Sequence, residues 1–150
     1  ETAFDHDLNT GERVTRKVQK VPSGHNPEDY VVRRLHAPGH DGARIPLTVM
    51  HRKDTKIDGS APLLLYGYGS YGMSMPAEFS TNRLSVVDRG FVYAVAHVRG
   101  GTDCGYGWYD PDGKMMKKKN SFYDFIACAE HLVAEKYTSE GRVAIQGGSA

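Results

Sequence analysis

A chain of 150 residues with 39% hydrophobic side chains is long enough to bury one medium-sized core. Its 19 basic and 18 acidic residues leave a net charge of +1, which argues against general nucleic-acid or polyanion binding. Cys104 and Cys128 lack metal-ligand spacing and no apolar run has membrane-spanning length, so no metal, cofactor or membrane partner is expected and the thiols should stay reduced.

In chain order, Phe4 to Val18 reads as a hairpin, alternating apolar and polar residues around an Asn9-Thr10-Gly11 turn. A lone hairpin cannot stand by itself and should belong to a larger all-β unit. Pro22 to Asp29 is rich in turn formers, which predicts a linker and a domain boundary near residue 28. Two strands, Tyr30 to Ala37 and Ala43 to His51, are joined by a turn containing Asp41-Gly42, and Pro46 predicts an edge or a bulge. A charged connection from Arg52 leads to Leu63-Leu-Leu-Tyr66, whose continuous apolar character predicts a strand covered on both faces.

The loop Gly67 to Gly72 follows. Ser80 to Arg89 predicts a short helix capped by Ser80 or Thr81, with Leu84 and Val87 on its inner side and Gly90 as its stop. Phe91 to Val98 is a second buried strand, so strand, helix and strand form a parallel crossover. Arg99 to Trp108 and the basic run Lys114 to Lys119 read as solvated loops rather than a stacking platform for nucleic acid. In Ser121 to Lys136 the apolar residues Phe122, Phe125, Ile126, Ala129, Leu132 and Val133 recur every three or four positions, predicting a core helix capped by Asn120 or Ser121. Arg142 to Gln146 is a last short strand. The fold class is therefore α/β, with a parallel-rich sheet carrying helices on both faces.

In such sheets reactive groups gather at the carboxyl ends of strands. Gly147-Gly148-Ser149-Ala150 occupies one such end and fills four positions of a Gly-x-Ser-x-Gly nucleophile elbow. Taken alone, a Gly/Ser cluster equally describes a plain turn. A serine nucleophile needs donors for the developing oxyanion; the Ala150 amide and a tyrosine hydroxyl from the Gly67 to Gly72 loop could supply them. Neither His-Glu-x-x-His nor Gly-Lys-Ser/Thr occurs, which excludes the common zinc-peptidase and phosphate-cradle signatures.

Tyr66-Gly-Tyr-Gly-Ser-Tyr-Gly72, His97-Val-Arg-Gly-Gly101, Gly107-Trp-Tyr109, Lys117-Lys-Lys-Asn120 and Gly147-Gly-Ser-Ala150, in this order, resemble the prolyl oligopeptidase family, and within it the oligopeptidase B branch. The resemblance implies an α/β-hydrolase peptidase domain beside a β-propeller, with residues 1–28 as the end of the propeller and its linker and residues 29–150 as the first part of the peptidase domain. It implies a serine-type endopeptidase that cleaves short peptides after Lys or Arg without a cofactor; the expected reduced thiols point to the cytoplasm, with the periplasm left open by a start at Glu1. By position it implies Ser149 as nucleophile, Tyr68 as the oxyanion hydroxyl and Ala150 as the oxyanion amide. Tyr71 would flank the pocket for the residue before the scissile bond. Glu78 would be the remaining charge of an acidic pair, with Pro76 at the other position. A post-proline peptidase of the same family and a non-catalytic peptide-binding module are the alternatives. The triad Asp and His follow the serine in this family, so all seven histidines precede the place for a base. His97 is expected to be a satisfied structural residue, and the 150 residues alone are expected to be inactive.

Overall fold

The computed structural model describes residues 1–76 and 78–149. The first two strands, β1 (Thr2–His6) and β2 (Arg13–Val18), form the expected antiparallel hairpin as a two-stranded sheet of its own, with every side chain exposed. The turn-rich segment after it ends in a single 3-10 turn, Pro27–Asp29, started by the Asn26 side chain accepting from the Glu28 amide.

The remaining strands build one five-stranded sheet. They are β3 (Tyr30–Pro38), β4 (Arg44–Arg52), β5 (Leu63–Gly67), β6 (Val92–Ala96) and β7 (Val143–Gln146), in the spatial order β3-β4-β6-β5-β7. The pairings β3·β4 and β4·β6 are antiparallel, whereas β6·β5 and β5·β7 are parallel. The sheet is thus mixed rather than parallel-rich, because the Asp41-Gly42 hairpin commits the first half to antiparallel pairing before the crossover begins.

Helix α1 (Thr81–Val87) is that crossover between β5 and β6. Ser80 caps it through the Arg83 amide, and Leu84 and Val87 are buried, as their spacing predicts. Val87 packs with Tyr93 and Val95 on one face of the sheet. The other face carries the larger core, in which Ile45, Leu47, Val49, Leu63, Leu65 and Ala94 meet Cys128 and Leu132 of α2 (Lys119–Ala134). One helix therefore covers each face, as expected. Within β5 only Leu63 and Leu65 are buried, and Leu64 and Tyr66 are half-covered, so the continuous apolar run is not fully enclosed.

Pro46 lies in an interior strand, contrary to the edge or bulge its missing amide suggests. It sits opposite His97, one rung beyond the last regular β4·β6 pair, Leu47↔Ala96. The His97 amide donates to the Pro46 carbonyl at 2.9 Å, and the return bond that proline cannot make is replaced by the Trp108 indole, whose Nε1 donates to the His97 carbonyl at 3.1 Å. Every backbone group of that rung is satisfied, which a buried ladder requires.

Helix α2 also departs from expectation at its start. Neither Asn120 nor Ser121 caps it: the Asn120 amide donates to the Asp112 carbonyl, and the Ser121 hydroxyl donates to the Arg99 carbonyl. Its buried positions are Ser121, Asp124, Cys128 and Leu132, whereas Phe122 and Ile126 point outward. The period was right and the inner stripe was displaced, because two polar residues on the inner side serve a buried network that hydrophobicity cannot signal.

Candidate active site

The site is assembled where β5 and β7 end side by side. The register pairs Tyr66 with Gln146, so the Gly67 to Gly72 loop and the Gly147 to Ser149 segment leave the sheet at the same level. They touch there: a Cβ on Gly147 would lie 3.0 Å from the Gly67 carbonyl oxygen. Ser149 is exposed and has φ of +65°, a left-handed angle that costs a non-glycine residue about 1–3 kcal/mol. A left-handed serine at the carboxyl end of a parallel strand is one feature that a nucleophile elbow requires. Ala150 lies outside the described residues.

Tyr68 shares a hollow of about 230 Å³ with Gly147 and Gly148, walled by Phe122 and Phe125. Its loop is fixed by close backbone packing. Gly69 has φ of +76°, and a Cβ there would strike Val98 at 2.5 Å; a Cβ on Gly100 would lie 1.8 Å from the Gly69 carbonyl oxygen. Only glycine fits both places, so the 67–72 and 99–101 segments interlock without side chains between them. The Gly72 amide donates to the Gly100 carbonyl at 3.0 Å, and the Thr102 hydroxyl donates to the Gly72 carbonyl at 2.7 Å. Tyr71, also left-handed at φ of +54°, is mostly exposed.

Beneath this loop lies the buried network. Arg99, just past the end of β6, donates to Asp124 of α2 from its backbone amide, Nε and Nη2, at 2.6 to 3.2 Å, and to Asp41 in the β3–β4 turn from Nη1 and Nη2 at 2.5 and 3.2 Å. Asp124 is fully buried and Arg99 nearly so. The Arg99 guanidinium holds the Asp41 carboxyl well below the ordinary carboxylate range, at about 2, and the two carboxylates raise the Arg99 pKa, Asp124 most strongly. This triad was missed in the sequence, where Arg99 opens what reads as a solvated loop. The signal was present only as an arginine directly after a buried strand.

His97 is satisfied on both ring nitrogens, as expected. Its Nδ1 lies 2.8 Å from Asp103 and its Nε2 lies 2.9 Å from the Thr48 hydroxyl. Arg34 already donates to that hydroxyl, which leaves the hydroxyl proton for Nε2 and the ring proton for Asp103. Half of the basic run is paired locally, with Lys114 on Asp110 and Lys117 on Asp112. Cys104 and Cys128 are free thiols, and burial pushes the Cys128 thiol well up.

Glu78 lies elsewhere. It lines a second hollow of about 440 Å³ on the α1 face, with Tyr30, Phe79, Tyr93 and His97, while Tyr68 and the glycines of the elbow line the first. The structure thus brings Tyr68 and the Ser149 turn together and leaves Glu78 in a separate cavity. Among the described residues no cluster of three His, Cys, Asp or Glu could hold a metal, and no helix is long and apolar enough to cross a membrane.

Residues 77–150 match the sequence profile of the prolyl oligopeptidase family. Over 99% of its length the chain is 49% identical to the dipeptidyl aminopeptidase BI of Pseudoxanthomonas mexicana and 42% identical to Protease 2 of Moraxella lacunata. It spans 20% and 21% of the lengths of those relatives. Oligopeptidase B from Leishmania major superposes with a TM-score of 0.90 at 42% identity, over 97% of this chain and 20% of that one. A structure from a study of two prolyl endopeptidases superposes with a TM-score of 0.91 at 44% identity, over 99% and 21%.

Proposed function

Because the chain belongs to the prolyl oligopeptidase family, we propose that Ser149 is the nucleophile of a serine-type oligopeptidase. Residues 29–150 would be the first part of its α/β-hydrolase domain and residues 1–28 the end of a β-propeller with its linker. The observation that carries this reading is the left-handed Ser149 at the end of β7, level with the Tyr68 loop at the end of β5.

In this reading the Ser149 hydroxyl attacks the scissile carbonyl, its proton passing to a histidine outside these 150 residues. The Tyr68 hydroxyl and the Ala150 amide receive the developing oxyanion. A phenol suits the role, since its hydroxyl is a neutral hydrogen-bond donor. Collapse of the adduct breaks the peptide C–N bond, the histidine returning the proton to the leaving amine, and water then hydrolyses the acyl-enzyme to free Ser149. The substrates would be short peptides cut after Lys or Arg, with Tyr71 flanking the pocket for the residue before the scissile bond and Glu78 offering a charge to a further basic residue. Support for this choice comes from Lys117-Lys-Lys-Asn120 and Ser70-Tyr71, which resemble the oligopeptidase B branch. A second reading, cleavage after proline, is favoured by relatives such as the prolyl endopeptidase of Elizabethkingia meningoseptica, 37% identical over 148 residues.

Turnover of matched Lys, Arg and Pro substrates by the full-length protein separates the two. The Ser149→Ala variant should lose on the order of 10⁶-fold in kcat on whichever class is cleaved. Wild-type turnover in that variant would refute the nucleophile.

A further inference from the structure

Tyr68 can act as an oxyanion donor only if its loop is held still, because a donor displaced by about 1 Å loses most of its effect. The packed glycines fix the loop against the 99–101 segment, yet they leave the Gly69 carbonyl and the Ser70 hydroxyl to be satisfied from the α2 side. Lys118 meets both, while the Ser121 hydroxyl is a second, longer donor to the Gly69 carbonyl at 3.3 Å. Lys118, immediately before α2, donates from Nζ to the Gly69 carbonyl oxygen at 2.5 Å and to the Ser70 hydroxyl at 2.6 Å. Ser70 is buried, and Gly69 is the residue directly after Tyr68.

Among the lysines of its run, Lys118 is the one bonded to the Tyr68 loop. Lys114 and Lys117 each have an aspartate partner, whereas among the described residues Lys118 has no carboxylate within ion-pair distance. Its ammonium is half-buried, lies over the Phe122 ring at 5.8 Å and lines the same hollow as Tyr68 and Gly148. Burial lowers its pKa from the ordinary lysine value, and the acceptors it meets are dipoles rather than an opposite charge. Charge-assisted bonds to a carbonyl and a hydroxyl are stronger than neutral ones and are directional, which suits the fixing of a short loop.

We propose that Lys118 is a positioning residue for the oxyanion site: its two bonds to Gly69 and Ser70 hold the Tyr68 hydroxyl where the Ser149 adduct develops charge. The inference rests on the nucleophile reading above. A residue acting through Tyr68 matters to the transition state and little to ground-state binding, and it loses its effect once the Tyr68 hydroxyl is gone.

The test is a double-mutant cycle in the full-length protein with Lys118→Met and Tyr68→Phe, rates being expressed per site titrated by a fluorophosphonate so that unfolded molecules do not count. Lys118→Met should lower kcat about 10-fold or more with KM changed less than about 2-fold. In the Tyr68→Phe background it should cost less than about 2-fold. Lys118→Arg, which keeps a cationic donor, should recover part of the loss and remains informative if the methionine variant gives too few titratable sites. Equal losses in both backgrounds, or no loss in the wild-type background, overturn the inference while leaving the nucleophile intact. Full activity in Tyr68→Phe alone removes the oxyanion role and the inference with it. Turnover in Ser149→Ala removes the reading beneath both.

Discussion

At the scale of single residues, Arg99 bears the greatest energetic consequence. Its guanidinium joins three segments distant in sequence, the β3–β4 turn, the exit of β6 and helix α2, and it does so against a fully buried Asp124. Removing one partner of a buried pair strands the other charge, at about 3–5 kcal/mol. Arg99→Met should therefore lower the stability of the full-length protein by about that amount, read from urea unfolding. Asp41 is the outer member and is over a third exposed, so solvent screens its share and about 1 kcal/mol or less is expected. Its pH dependence has a definite sign. Because Arg99 depresses the folded pKa to about 2 from an ordinary 3.8, the stabilisation is complete above pH 4 and is lost as pH falls toward 2. Asp41→Asn should thus unfold at lower urea than the wild type at pH 6, with the gap closing between pH 4 and pH 2. A gap that widens on acidification would contradict the assignment.

At the scale of elements, the period of the apolar residues carried most of the architecture, since burying one face is what the period reports. The crossover β5-α1-β6 and its Ser80 cap follow from local residues and were legible. What the period does not carry is which polar side chains are drawn inward. Ser121 and Asp124 lie on the buried side of α2 because they close the Arg99 network, and that turns Phe122 and Ile126 outward. Pro46 is a similar case: its missing amide is compensated by Trp108, more than sixty positions away, which no local reading can see. The compensation can be measured. Trp108→Phe keeps an aromatic ring and removes the donor, leaving the His97 carbonyl unpaired, and should cost about 1–3 kcal/mol in urea unfolding. No change would mean that the rung needs no substitute donor.

At the scale of the whole molecule, sheet topology and motif placement coincide. The sheet order brings the ends of β5 and β7 together, and the motifs on those ends are the ones through which the chain resembles the prolyl oligopeptidase family. Ser149 and Tyr68 could be singled out in the sequence because glycine adjoins both at strand ends, where sequence and backbone conformation constrain each other tightly, and the roles given to them above are proposed. Lys118 was hidden inside a basic run, since its partners are a backbone carbonyl and a hydroxyl rather than charges. Glu78, aligned by resemblance alone, stands in the other hollow, where no strand geometry ties it to the serine. The central claim is that Ser149 is the reactive hydroxyl, and it is tested most directly by treating the full-length protein with a fluorophosphonate and mapping the adduct by mass spectrometry. A single adduct on Ser149, with peptidase activity lost in proportion to labelling, is the predicted result. An adduct on a different serine, or full activity after stoichiometric labelling of Ser149, would contradict it.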